Sequence, residues 1–138
     1  MKSRDTLIRL KRFHVDEKRR RVSQIEAMIA EFQRIAGDLD REIKVEQDRA
    51  GIHDVAHFAY PTYAKAAAAR RDNLLRSADE MKGQLTEAQD DLAEAFEELK
   101  KVELLDERDQ LRGRSAEAKA DQKAMDDIGL RGHGRRAG

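Results

Sequence analysis

The sequence predicts an all-α fold, in which two long helices pair as an antiparallel coiled-coil hairpin. First, apolar residues recur with heptad spacing along two long segments, as they do in coiled coils. Second, charged residues make up 41% of the chain and aromatic residues only 4%, a composition typical of long helices rather than a thick globular core. The chain of 138 residues is short enough to be one domain, which we expect over residues 1–128.

Helix one is expected over about residues 3–50. Two series of positions per heptad follow one narrow stripe of this segment, which is the pattern of a coiled-coil seam. The first series is Ile8, Val15, Val22, Ile29, Ala36, Ile43 and Ala50. The second series is Lys11, Lys18, Ile25, Phe32, Leu39 and Glu46. Long charged side chains on a seam can lay their stems along it and help to specify its register.

The turn is expected over residues 51–60, between two residues that favour helix ends. Gly51 suits a C-terminal cap, and Pro61 suits the first turn of a helix, where its missing N–H costs nothing. Helix two is expected over about residues 61–127. Its seam positions are Ala67, Leu74, Ala78, Met81, Leu85, Ala88, Leu92, Ala95, Leu99 and Val102. Residues 129–138 are glycine-rich and basic, and we expect them to form a flexible tail.

The short connection favours antiparallel pairing of the two helices within one chain, so we expect a monomer. If the numbers of paired residues sum to 110, large seam residues mostly face small ones. A sum of 117 also gives acceptable layers, and the register stays open between the two. Residues 1–21 hold nine Lys/Arg and three Asp/Glu, whereas residues 89–109 hold nine Asp/Glu and three Lys/Arg. This complementary charge favours the antiparallel arrangement.

Several classes of function are not expected. The chain has no phosphate-binding or nucleophile-elbow motif, and a slim hairpin lacks a concave pocket, so we expect neither an enzyme nor a cofactor. His53 and His57 are four residues apart but lack a third ligand, so no metal site is expected. The formal net charge of +0 gives no general affinity for nucleic acid. The basic run at residues 18–21 is interpreted as a solvated face that helix two neutralises, with nucleic-acid binding as a weaker alternative.

The segment DQKAMDD at residues 121–127 lies where helix one no longer accompanies helix two. Isolated helices of this length are marginal in water, so we expect another protein to complete this end. Two tyrosines, Tyr60 and Tyr63, flank Pro61 at the turn. They either cap the seam or anchor a partner, since tyrosine is favoured at interfaces. No apolar run is long enough to span a membrane, and the N-terminus does not read as a secretory signal, so a cytoplasmic protein is expected.

Three stretches of the sequence resemble the FliJ family, the small coiled-coil component of the bacterial flagellar export apparatus, which has counterparts in type III secretion systems. The opening TLIRLKRFHVDEKRRRV is similar to the entry of that family's first helix. The turn reads AYPTYAKA, where family members place aromatic residues. The motif DQKAMDD looks like the family signature D-Q-K-x-M-D-[DE].

The resemblance implies a non-enzymatic adaptor and stalk on the cytoplasmic face of the inner membrane. Its terminal end would bind the hexameric flagellar export ATPase, and it would also contact the membrane-embedded export gate and escort export chaperones. The residues assigned to the ATPase are Arg9, Lys11, Arg12, Asp121, Gln122, Lys123, Met125 and Asp126. Those assigned to the gate are Leu39, Tyr60 and Tyr63. The alternative is a structural coiled coil that homodimerises and has no stalk role.

Overall fold

The chain forms two long α-helices, which confirms the predicted all-α class. The computed structural model describes the backbone of residues 2–137 and the side chains of residues 3–132. Helix α1 spans Lys2–Ala50 and helix α2 spans Thr62–Ala137. The backbone divides into two compact units, one made of residues 1–12 and 97–138 and the other of residues 13–96. We call them the terminal unit and the turn unit.

Helix α1 ends at a glycine, as the sequence predicts. Gly51 has a φ of 66°, a left-handed conformation that costs glycine little. The Ile52 N–H donates to the carbonyl oxygen of Gln47 at 3.3 Å, which is the bond that closes a Schellman motif. The last turn of α1 is therefore capped by the backbone itself.

Helix α2 begins one residue after Pro61. The carbonyl oxygen of Pro61 accepts a hydrogen bond from the Lys65 N–H at 3.1 Å, so the proline stands at the N-cap, one position earlier than predicted. Proline fits there because the position needs no donor.

The far end of α2 differs from the prediction. The helix continues past Asp127 and ends at Ala137, so the stretch expected to be a tail is helical through residue 137. Glycine lowers helix stability by about 1 kcal/mol per residue but creates no clash, and no proline follows Pro61 to stop the helix. The flexibility expected of the tail stays a prediction, and Gly138 and the side chains of residues 133–137 lie outside the described residues.

The turn unit has an apolar seam between its parts of α1 and α2, with two clusters of buried residues. One cluster in it consists of Val22, Ile25, Ile29, Ala78, Met81 and Ala88. A second cluster, nearer the turn, consists of Leu39, Ile43, Ala64 and Ala67. In both clusters β-branched or long side chains of α1 meet alanines of α2, which allows the helices to approach closely. The predicted seam is therefore buried here.

The terminal unit is packed through a shorter seam. Ile8 of α1 and Leu99 and Val102 of α2 are buried in it. At its edge Arg4 pairs with Asp109, and Lys11 Nζ lies 3.7 Å from Glu98 Oε2. The residue numbers run in opposite directions along the two helices, as expected for antiparallel pairing.

The contacts across the helices also distinguish the two registers. The numbers sum to 113 for Arg4 and Asp109, and to 109 for Lys11 and Glu98. In the turn unit, Arg71 Nη1 donates to Asp40 Oδ1 at 2.8 Å, a pair whose numbers sum to 111. These sums cluster near 110, so the structure has the first of the two registers.

The sequence predicts that helix two neutralises the basic run at residues 18–21. Among the described residues, however, α2 forms no ion pair with this run. Arg19 pairs with Asp16 of its own helix at 3.8 Å, and its guanidinium lies 4.8 Å from the centre of the Phe96 ring. The other three cations of the run make no ion pair with any residue in the described part of the chain. Among the described residues, the charge-matched segments are joined directly by Arg4 with Asp109 and by Lys11 with Glu98, outside the basic run.

Candidate partner-binding surfaces

The DQKAMDD segment lies on a part of α2 that packs against nothing in the described chain. Every side chain from residue 110 to residue 132 is exposed, and Met125 keeps 69% of its accessible surface. The Gln122 side-chain amide donates to Asp126 Oδ1 at 3.1 Å, an i,i+4 bond that supports the helix locally. These side chains are therefore accessible to another molecule.

The basic residues predicted to share a site with this segment do not lie beside it. Lys11 pairs with Glu98, and Arg9 and Arg12 are exposed without an ion pair to a described residue. Asp121 follows Glu98 by 23 positions, which is roughly 35 Å of helix at 1.5 Å per residue. The structure therefore separates the two parts of the predicted ATPase site along α2.

A third surface of the terminal unit was missed in the sequence analysis. Leu104, Leu105 and Leu111 of α2 are exposed and line an open groove of about 500 Å³ together with Lys101, Glu107 and Arg108. Leu104 follows the buried Val102 by two residues, so it lies about 200° around the helix from the seam. These leucines are visible in the sequence, but they lie outside the heptad series. The heptad series predicts only the positions that become buried.

The residues predicted for the gate lie in the turn unit, and they differ in accessibility. Leu39 is only 6% exposed and belongs to the second apolar cluster, against which Tyr60 packs. The Tyr60 hydroxyl accepts a hydrogen bond from Gln47 Nε2 at 2.9 Å. Tyr63 is 56% exposed, and its hydroxyl donates to Glu42 Oε2 at 2.6 Å. Tyr63 is thus the member of this group that offers its ring to solvent, whereas Leu39 is closed to direct contact.

The hydrogen bond between Tyr63 and Glu42 also changes the acidity of the phenol. The neutral phenol donates to the carboxylate, and the negative charge of Glu42 opposes a second negative charge beside it. Both effects raise the pKa of Tyr63 above its ordinary value. The hydroxyl is therefore a stable donor at neutral pH, at the edge of an open groove lined by Arg41, Val45 and Arg49.

The loop between the helices carries another feature that heptad patterns cannot reveal. Phe58 is almost fully exposed and stacks on the ring of His57, with ring centroids 4.7 Å apart. His57 Nδ1 accepts the N–H of Ala59 at 3.0 Å, and Asp54 Oδ1 accepts the N–H of Ala56 at 3.0 Å. These local bonds give the loop a defined shape.

The histidines of the loop are not part of a metal centre in the described region. His53 Nε2 lies 3.0 Å from Asp48 Oδ1. Between residues 3 and 132, no three histidine or carboxylate side chains form a group that could hold an ion. None of the helices, over the residues that the structure describes, has an apolar stretch long enough to cross a membrane.

A family model described as the flagellar FliJ protein matches residues 1–138. No curated protein and no solved structure matches the chain. The match covers the whole sequence, including both helices and the DQKAMDD segment. The chain therefore belongs to the flagellar FliJ protein family, whose members act in flagellar protein export.

Proposed function

We propose that this protein is a non-enzymatic adaptor and stalk of the flagellar export apparatus, which binds the hexameric export ATPase through its terminal unit and couples it to the export gate. Family membership supports the export role. The observation that carries the proposal is the run of side chains from residue 110 to residue 132, all of which are exposed. A helix of this length gains most of its stability from packing, so a partner is needed to stabilise it.

In this proposal, the side chains that contact the ATPase are Asp121, Gln122, Lys123, Met125 and Asp126, together with Arg9, Lys11 and Arg12. The basic residues of α1 lie beside Glu98, far from the DQKAMDD segment along the terminal unit. The basic residues and the DQKAMDD segment would therefore contact the ring at different depths. Met125 contributes a flexible apolar side chain, and the flanking charges fix its orientation. The protein would act in the cytoplasm, at the inner face of the membrane, as a monomer that binds no nucleic acid.

The gate would be contacted through the turn unit. Tyr63 offers an exposed ring whose hydroxyl is held by Glu42, an arrangement that costs little conformational entropy on binding. Tyr60 would contribute its edge, and Leu39 would act from the core by packing against it. Export chaperones are a further class of partner in the proposal.

The ATPase contact is tested by truncation after Arg114. The truncated chain lacks only residues 115–138, of which those described carry no buried side chain, so we expect the remaining helices to keep their melting temperature. We expect loss of binding to the purified hexameric export ATPase and loss of any stimulation of its turnover. The control is the full chain carrying Tyr63→Ala, which should bind the ATPase normally. A truncated chain that binds and stimulates as well as the full chain would refute the terminal contact.

The gate contact needs its own measurement. We expect Tyr63→Ala to weaken binding to the cytoplasmic domain of the gate protein by about tenfold, as for an exposed aromatic anchor at an interface. Val45→Ala, at the same groove, is the matched control and should have a smaller effect. Equal binding by Tyr63→Ala and the unmodified protein would exclude Tyr63 from the contact.

A further inference from the structure

An apolar stripe runs along α2 on the face turned away from the seam. Leu104, Leu111, Ala118 and Met125 succeed one another at intervals of seven residues, which return to nearly the same face of a helix. Leu111 is 61% exposed and Met125 69%. We call these four residues the outer stripe. It joins the open groove at Leu104 and Leu111 to the DQKAMDD segment.

Positive charge lies along one side of the outer stripe. Lys101, Arg108, Arg112 and Lys119 are spaced by seven, four and seven residues, so they share one face beside the stripe. We call them the basic ridge. Its one ion pair is between Lys101 and Glu98 of the same helix at 3.8 Å, and the other three cations have no partner among the described residues. The opposite side of the stripe has mixed charge, with Glu107, Arg114 and Asp121.

We infer that the outer stripe and the basic ridge together form the docking surface of the terminal unit, and that the occupant is a protein surface whose apolar pocket is bordered by carboxylates. The inference rests on the proposed function and deepens it, since it assigns the contact with the ATPase to this face of α2. Unpaired cations beside exposed leucines are complementary to such a border. The two kinds of contact would fix both the depth and the rotation of the helix.

The same charges argue against the two other occupants of an exposed helix face. A second copy in antiparallel orientation would bring the two basic ridges side by side, and like charges at that distance repel. The residues three positions after each leucine are Glu107 and Arg114, so the outer stripe also lacks the second apolar series of a coiled-coil seam. An anionic membrane would attract the basic ridge, but Glu107 and Asp121 on the other side of the stripe would face the same headgroups and weaken that attraction.

The test uses the full chain and the purified hexameric export ATPase, with affinity measured by calorimetry at low and high salt. We expect R108E/R112E to weaken binding at low salt by at least about tenfold, because two favourable charge contacts become repulsive. The control R114E reverses one charge on the other side of the stripe, half the change of the double variant, and should stay within about twofold. L104S/L111S should weaken binding at both salt concentrations, because it removes apolar contact.

The outcomes separate the inference from the proposed function. If the unmodified protein does not bind the ATPase, the proposed function fails and the inference fails with it. If the unmodified protein binds and R108E/R112E binds equally well, only the inference is overturned. It is also overturned if sedimentation shows a dimer that R108E/R112E dissociates, or if phosphatidylserine vesicles bind the unmodified protein but not this variant. Circular dichroism confirms that the variants stay helical, as substitutions of exposed side chains should.

Discussion

Ile25→Ala tests the seam that organises the turn unit. Ile25 is 3% exposed and lies in the cluster with Met81 and Ala88. The substitution removes three carbon atoms, worth about 0.8 kcal/mol each in lost burial, and leaves a cavity that raises the total to roughly 3–4 kcal/mol. At about 3 °C per kcal/mol for a chain of this size, we expect the thermal midpoint to fall by roughly 10 °C, followed by circular dichroism at 222 nm.

Met28→Ala is the matched control, because Met28 lies on the same helix but is 49% exposed. Its midpoint should change by no more than about 2 °C, since the side chain leaves no cavity. The midpoint of the unmodified protein should not depend on concentration, because a monomer gains no stability by mass action. If Ile25→Ala and Met28→Ala have the same thermal midpoint, or if the midpoint of the unmodified protein rises with its concentration, the seam is not formed within one chain.

Two further predictions concern the turn. Gly51→Ala should destabilise the protein by about 1–2 kcal/mol in urea unfolding, because φ is 66° and no atom lies within 4 Å of the added carbon, so the cost is purely conformational. In Tyr60→Phe, Tyr63 is the remaining tyrosine, and its absorbance titration should have a midpoint above the ordinary value near 10, a shift that Glu42→Gln reduces. Because the pKa of Tyr63 is raised in the folded state, its hydrogen bond to Glu42 stabilises the fold at neutral pH. This stability is lost as the pH rises through the pKa that Tyr63 has in the folded state.

The seam could be predicted because burial and periodicity are tied together in a two-helix fold. The seam is the apolar environment available to the side chains of Val22 and Ile29, and the heptad spacing places both of them in it. Gly51 was predictable for a similar reason, since the left-handed conformation at the end of α1 favours one residue type. Ala50 is the exception: it continues the series but is exposed, because α1 ends before another layer can form.

The outer stripe and the exposed Phe58 could not be predicted in this way, because nothing within the chain selects them. Leu99 and Val102 stabilise the fold because they are buried in the seam. The seam does not explain leucine at positions 104 and 111, which are exposed and where most polar residues would also fit. A helix kept for solubility alone would carry charge at both positions. The proposed docking surface rests on these apolar side chains, which the fold does not bury, and on the neighbouring cations Arg108, Arg112 and Lys119, which pair with no described residue. Leu104 and Leu111 lie before the DQKAMDD segment, so the first binding experiments belong at the middle of α2 as much as at its end.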